Sequence, residues 1–548
     1  MFALAVALSG SPALGERAAL APEAERAAAG ITTAELRAHL EFLASDELQG
    51  RGTGHDGNRV AARYLASVFA RIGLAPPDGR SFFQPVALYT AQPGPASSLV
   101  IVESRDGAEI ATRIDPGETF QPALSAAATV TAGLVFAGFG LAAPEAGYDD
   151  YAGLDVTGRI VVALAGAPPD PVGPRLPQRR PGPLVKAAMA AERGAVGLVL
   201  VDRRRRDLRP LWRPQPSVRD RDFVLASEVE AHPIPVALVT EAAADRLLGP
   251  TPVAALAERL EAAVREAGGR PIRAPASMAI PNRRATLAVD LRAERIVAHN
   301  VIGIVQGADP SLANELVVVG AHFDHDGLDE AGRVYNGADD DGSGTAAVLE
   351  IAEAFAAAAR AGARPRRTVV FALWNAEEKG LLGSRAFAEH PVPSGRVVVN
   401  VNLDMVGRNE DVPDERDPRF RGLKRTAPEA NADAVHLIGY SYSPDLAAIV
   451  REENAAVGLR LQTTLDDNPQ QLIRRSDHWT FLERRIPAAL FTTGLHPDYH
   501  TTQDDVEKIN FDKLEKIARL AYRVAWHVAA GGEPPRYVDP APARRPSP

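Results

Sequence analysis

The chain has 548 residues, 46% hydrophobic and 24% charged, an ordinary globular composition that is long enough for more than one core. Its net charge of −9 argues against non-specific nucleic-acid binding, and the Arg203–Arg206 run reads as a solvated loop rather than a polyanion site. With no cysteine, thiolate metal sites, catalytic thiols and disulfides are excluded.

In chain order, the first expected element is a leader. Phe2-Ala-Leu-Ala-Val-Ala-Leu8 is an apolar stretch of signal-peptide type and Ala13-Leu-Gly15 resembles a small-x-small cleavage site, although no Lys or Arg precedes them. Residues 1–18 are therefore expected to be a signal peptide, and the protein periplasmic or secreted. No apolar run reaches the roughly 18 residues of a spanning helix, so no integral membrane segment is expected. Residues 30–94 open with Thr32-Thr-Ala-Glu35, a capping box ahead of Leu36, Leu40 and Leu43. Val60, Tyr64, Val68 and Ile72 then repeat at helical spacing.

Between residues 95 and 280 the pattern changes to short strands separated by Gly and Pro, including Gly133–Phe139 and Gly158–Leu164. A helix carrying Lys186, Met189 and Ala190 precedes the strand of Gly194–Val201. Pro168–Pro183 should be an exposed loop, and His232 is read as structural or solvated. Residues 284–531 alternate strands and helices, predicting an α/β fold with a mixed, largely parallel sheet sandwiched by helices. Val348, Ile351, Ala352 and Phe355 mark one covering helix, and Asn510 caps a last one whose Leu514, Ala518, Ala521 and Ala525 face inward. The Pro- and Arg-rich residues 532–548 are expected to be a disordered tail.

The chemistry gathers in the third quarter of the chain and beyond. Glu377 and Glu378 follow the apolar run ending at Trp374, and two carboxylates launched from a buried strand need compensating charge. His322 and Asp324 follow Leu316-Val-Val-Val319, Asp404 ends the run from Arg396 to Leu403, and His500 follows Ala488–Thr492. Asp340 sits in the glycine-flanked Gly337-Ala-Asp-Asp-Asp-Gly-Ser-Gly344. In an open α/β sheet, C-terminal strand ends converge on one crevice. Two His and three carboxylates there can hold two divalent ions if one carboxylate bridges. Strand alternation, with His322 and Asp324 inward, directs His325 away from such a site.

The blocks Gly320-Ala-His-Phe-Asp-His325, Gly337–Gly344, Asn375-Ala-Glu-Glu-Lys-Gly-Leu-Leu-Gly-Ser384, Asn402-Leu-Asp-Met405, Ser476-Asp-His478 and Tyr499-His-Thr-Thr-Gln-Asp504 closely resemble the di-zinc aminopeptidases of metallopeptidase family 28. The resemblance covers about half the chain and implies the zinc exopeptidase fold. It implies that His322 and Glu378 are terminal zinc ligands, Asp340 the bridging carboxylate, and Asp404 and His500 the remaining ligands. It further implies Glu377 as general base and Asp324 as the carboxylate that orients His322. The connector from Leu43 to Gly54 resembles the N-terminal segment of larger, exported members. Residues 95–280 resemble a protease-associated domain, a smaller α/β module inserted ahead of the metal-bearing sheet.

By that resemblance the cofactor is two zinc ions, replaceable by cobalt or manganese, and the partner is a peptide substrate. Two ions about 3.5–4 Å apart lower the pKa of water and clamp an oxyanion, and Glu377 would carry its proton to the leaving amine. Three alternatives stay open: a carboxypeptidase or dipeptidase on the same site, a single-zinc acyl transferase resembling glutaminyl cyclase, and a binding protein that has lost its metals. One departure stands out. Some family members carry a tyrosine as oxyanion donor three residues before Ser-Asp-His, where this chain has Ile473. Arg474, Arg475 and Tyr499 are the candidate substitutes.

Overall fold

The computed structural model describes residues 20–169, 172–173, 182–208, 222–231, 233–268, 270–273, 275–409, 420–423, 426–468 and 470–540. The expected leader, His232 and most of the Pro168–Pro183 loop lie outside the described residues. Packing divides the chain into two units, one built from Met1–Val86 and Ala298–Pro548 and the other from Ala87–Pro216 and Asp220–Val297. Among the described residues no helix is long and apolar enough to cross a membrane.

The larger unit is organised by four adjacent parallel strands in the order Thr368–Trp374, Glu315–His322, Arg396–Leu403, Ala488–Thr492. Leu291–Val305 joins one side antiparallel, and Ala434–Ile438 joins the other antiparallel with Arg460–Gln462 parallel beyond it. The central strands are apolar without interruption because both faces are covered. Val317, Val319, Val369, Phe371 and Leu373 point into one core, while Leu316, Val318, Val370, Ala372 and Trp374 point into the other. The first core is closed by Thr33–Leu43, Asp56–Ile72, Gly344–Arg360 and Phe511–Ala530, and the second by the short helices Leu382–Glu389 and His478–Leu482.

Local signals act as expected at the helix ends. Thr32 accepts the Glu35 N–H at 3.3 Å and Asn510 accepts the Lys513 N–H at 3.1 Å, each satisfying a first-turn donor. Along Asp56–Ile72 the buried stripe is Ala61, Leu65, Val68, Phe69 and Ile72, whereas Val60 is 48% exposed. The stretch that was expected to be disordered from residue 532 is anchored as far as residue 540. Arg536 pairs with Asp445 at 2.8 Å, and the Val538 N–H donates to Tyr442 O at 2.8 Å. Residues 541–548 lie outside the described residues.

The smaller unit holds a sheet in which Ala128–Phe136, Ile160–Leu164, Gly197–Asp202 and Val236–Thr240 run parallel as neighbours. Met278–Val289 pairs antiparallel with both Ala128–Phe136 and Ser98–Arg105. This strand passes the expected boundary at Ile280 because Ala285, Leu287 and Val289 alternate into the unit's core.

Arg51, in the connector after Thr33–Leu43, ties that connector to the strand ends of the larger unit. It is fully buried, and its guanidinium donates to Phe323 O at 2.7 Å, Asn336 O at 2.7 Å, Gly337 O at 2.9 Å and the Leu43 carbonyl. Burial pulls its pKa down to about 10, opposed by Asp341, Asp504, Asp324 and Asp340. Arg51→Met leaves these buried carbonyls without donors, so urea unfolding should show a loss of at least about 3 kcal/mol. A loss below about 1 kcal/mol would show that the connector is held by other contacts.

His436, on the strand beside Ala488–Thr492, is pushed down to about 4 by burial, with Lys513 and Arg460 adding to the effect. Between about pH 4 and pH 6.5 the unfolded chain binds the proton that the folded site refuses, so stability is present above 6.5 and falls as pH drops. His436→Gln should reduce the loss of unfolding free energy between pH 7 and pH 4 by up to about 3 kcal/mol.

Candidate metal centre

The parallel register brings the expected residues to one end of the sheet. His322 lies beside Trp374 and Gly320 beside Asn402, so His322, Asp404 and the Glu377–Glu378 pair leave neighbouring strands at one level. Ala376 and Met405, each two residues past a strand end, and His500 all have φ between 55° and 60°, a left-handed geometry that is uncommon for a non-glycine residue. Gly337 is also left-handed, and a Cβ there would stand 2.5 Å from the His325 ring.

The aspartate triplet separates into three roles. Asp339 accepts the Gly407 N–H at 2.6 Å and the Ser343 hydroxyl at 3.0 Å. Asp341 accepts the N–H groups of His322 at 3.1 Å, Gly344 at 2.9 Å and Met405 at 3.3 Å. Asp504 accepts the N–H groups of Asp339 and Asp340, both at 3.0 Å. Asp341 is thus committed to backbone donors through both oxygens, and Asp339 through Oδ1 alone, its buried Oδ2 having no hydrogen-bond partner. Asp340 Oδ1 lies 3.3 Å from His322 Nε2 and Oδ2 lies 3.3 Å from His500 Nε2, and the buried Oδ2 has no hydrogen-bond donor.

Around this divided carboxylate stand two sets of donors. His322 Nε2 is also 3.8 Å from Asp404 Oδ1 and 3.8 Å from Glu377 Oε2, while His500 Nε2 is 3.4 Å from Glu378 Oε2. Proximity alone groups His322 and Asp404 with Asp341. Hydrogen bonding favours Asp340, because both Asp341 oxygens are already occupied. Charge supports a cation here. Burial drives Glu377 well above the usual carboxylate range against the pull of His322, and it raises Glu378 against the pull of His500. Burial disfavours the charged imidazole of His500, yet Glu378, Asp326 and Asp340 lift it to about 10. A nest with this carboxylate excess fits divalent cations held by imidazole and carboxylate oxygen.

Asp324 is placed differently from its expected role. Its carboxylate is 4.0 Å from His322 Nδ1, which instead bonds the Asp324 main-chain carbonyl at 3.0 Å. The carboxylate accepts the Glu377 N–H and the Thr53 hydroxyl, each at 3.0 Å, and so fixes the Glu377 backbone. His325 does not point away from the site, as strand alternation predicts. The strand ends at His322, the chain turns, and His325 faces the cluster with Nδ1 2.8 Å from Glu378 Oε1. Asp326 comes with it, its Oδ2 3.1 Å from His500 Nδ1. Ile473, where some relatives carry a tyrosine, is buried; of the candidate substitutes, Arg474 stacks over Trp479 at 4.2 Å, while Tyr499 and Arg475 line the pocket.

Residues 300–525 match the model of peptidase family M28, and residues 130–247 match that of the PA domain. The chain carries an M28 peptidase domain with an inserted PA domain. It is similar to a probable glutamate carboxypeptidase of Arthroderma benhamiae, 36% identical over 117 residues, which are 21% of this chain and 15% of that protein. An aminopeptidase of Pseudomonas aeruginosa is 29% identical over 271 residues, 45% of this chain and 44% of that one. Among solved structures, an aminopeptidase from Aneurinibacillus sp. strain AM-1 aligns with TM-score 0.46 and 19% identity over 95% of this chain and 100% of the other. The chain spans only 15% of the length of the first two curated relatives that it matches.

The M28 match begins at Asn300, whose amide donates to Gly383 O and Gln84 Oε1, each at 2.9 Å. Asp340→Asn should abolish tight divalent-metal binding while the metal-free protein stays folded, because no donor is lost from that carboxylate's Oδ2. Asp341→Asn should instead lower thermal stability, because two or more N–H acceptors are weakened. Calorimetric metal titration together with melting curves separates the two.

Proposed function

We propose that this chain is a zinc-dependent exopeptidase, an aminopeptidase in its main activity, working with two ions. The observation that carries the reading is the Asp340 carboxylate, one oxygen facing each of two imidazoles, with Glu377 alongside. His322, Asp340 and Asp404 would hold one ion, and Asp340, Glu378 and His500 the other. Bound zinc supplies a water of lowered pKa and a Lewis acid for the scissile carbonyl.

Glu377 accepts the proton from the attacking water and returns it to the leaving amine as the C–N bond breaks, so atoms balance without a covalent enzyme intermediate. Asp324 holds the Glu377 N–H, which fixes where that carboxylate points. Tyr499 supplies a hydrogen-bond donor for the developing oxyanion. Burial, with Asp340, Glu378 and Glu377 nearby, holds its phenol well above the usual tyrosine range and therefore protonated. Met405, Ile438, Leu472, Leu490 and Leu495 line the same pocket and favour an aliphatic substrate side chain.

The roles of the two adjacent glutamates are separable. Glu377→Gln should keep both ions and lower kcat by roughly 10²–10⁴-fold, the scale for loss of a general base. Glu378→Gln should lose affinity for one ion, since a neutral amide is the poorer ligand. Elemental analysis and single-turnover rates distinguish them; loss of metal from Glu377→Gln with only a rate effect in Glu378→Gln would exchange the assignments.

A second reading, cleavage of free dipeptides, is favoured by Arg475. Arg475 lines the pocket, and its guanidinium donates to Gln470 Oε1 at 2.9 Å and has no ion pair among the described residues. If it takes a substrate carboxylate, Arg475→Gln should raise KM for an aliphatic dipeptide by about 10-fold, the scale of one charge-assisted bond, and leave KM for the dipeptide amide unchanged. Equal effects on both substrates would remove this reading.

A further inference from the structure

The two imidazoles of the centre are held from behind in different ways. His322 Nδ1 meets a main-chain carbonyl, that of Asp324, at 3.0 Å. His500 Nδ1 meets a carboxylate, Asp326 Oδ2, at 3.1 Å. Beside it, His325 Nδ1 lies 2.8 Å from Glu378 Oε1, the oxygen turned away from His500, while Glu378 Oε2 faces His500 Nε2 at 3.4 Å. His325 and Asp326 are adjacent and buried, and both arrive by the turn that follows Glu315–His322.

We propose that Asp326 and His325 are paired positioning residues for the His500 end of the centre, Asp326 orienting the His500 ring and His325 fixing which Glu378 oxygen meets the cation. This inference rests on the two-cation reading above. An imidazole whose second nitrogen donates to a carboxylate is locked in the tautomer that leaves Nε2 free and becomes a more basic ligand. An N–H donated to Glu378 Oε1 restricts that carboxylate to one oxygen toward the cation. The consequence is an unequal pair of sites: the cation held by Asp340, Glu378 and His500 binds more tightly and leaves last on chelation.

The test uses the full chain, stripped of metal and titrated stepwise with zinc in competition with a chromophoric chelator, with cobalt spectra as a second readout. Wild type should show two steps. Asp326→Asn should weaken the tighter step by about 10–100-fold, the usual effect of losing such a partner, and leave the other step within twofold. The melting temperature of the metal-free protein should be unchanged, and Asp326→Glu should recover part of the affinity. His325→Ala should weaken the same step and alter the cobalt spectrum of that ion while both ions still bind at saturation.

Unchanged affinities in Asp326→Asn would overturn the proposal, as would weakening of both steps together with a lower melting temperature in the metal-free state. Complete loss of one ion in His325→Ala would also overturn it, making His325 a ligand. If wild type takes up no second ion, the functional reading itself fails, a result distinct from any variant-specific outcome.

Discussion

The centre depends on the Asp340 carboxylate being divided between two imidazoles. In a buried loop three aspartates in succession are a severe electrostatic load, and hydrogen bonds relieve Asp341 through both oxygens, from His322, Gly344 and Met405, and Asp339 through Oδ1, from Gly407 and the Ser343 hydroxyl. Asp504, itself paired with Arg408, holds the N–H groups of Asp339 and Asp340. Asp340 then has one arrangement left, with its oxygens divided between two imidazoles. A buried acceptor without a donor is costly unless a cation takes the donor's place. Asp340 Oδ2 is such an acceptor, and its place between two imidazoles suits it to a cation.

This constraint extends through the larger unit. The N-terminal connector supplies Arg51, whose guanidinium bonds the Asn336 and Gly337 carbonyls at the start of the Asp340 loop and that of Phe323 just after the His322 strand. Thr53 braces Asp324, and Asn58 exchanges hydrogen bonds with Asn375 at 2.8 and 3.1 Å, just ahead of Glu377. Residues 43–58 thus act as a scaffold for the centre although none of them reaches its middle. Folding energetics and ligand placement share these contacts, so a change in this segment is felt as both.

The sequence made the strand ends legible because the apolar runs are long and continuous and the polar residues that follow them are of metal-ligand type. Val348, Ile351 and Phe355 also declared their helix, as did the caps at Thr32 and Asn510, because periodicity and capping are local properties. What escaped was set by tertiary turns. His325 was placed by strand alternation, a rule that lapses where the strand stops at His322. Asp324 was expected to use its carboxylate on His322 and uses its main-chain oxygen instead. Arg51 and Asp504 carry no local signature, since a buried arginine or aspartate is recognisable only from the carbonyls and N–H groups that distant segments bring to it. The anchored residues 533–540 were hidden by a Pro- and Arg-rich composition that also describes disorder, and Arg536 finds Asp445 only in the folded chain.

Anomalous diffraction at the zinc edge from crystals of the zinc-loaded full chain tests directly whether Asp340 bridges two ions. Two peaks are expected, both in contact with Asp340, one shared with His322 and Asp404 and the other with Glu378 and His500, and none on Asp341. A single peak, or a second ion bound through Asp341 in place of Asp340, would contradict it.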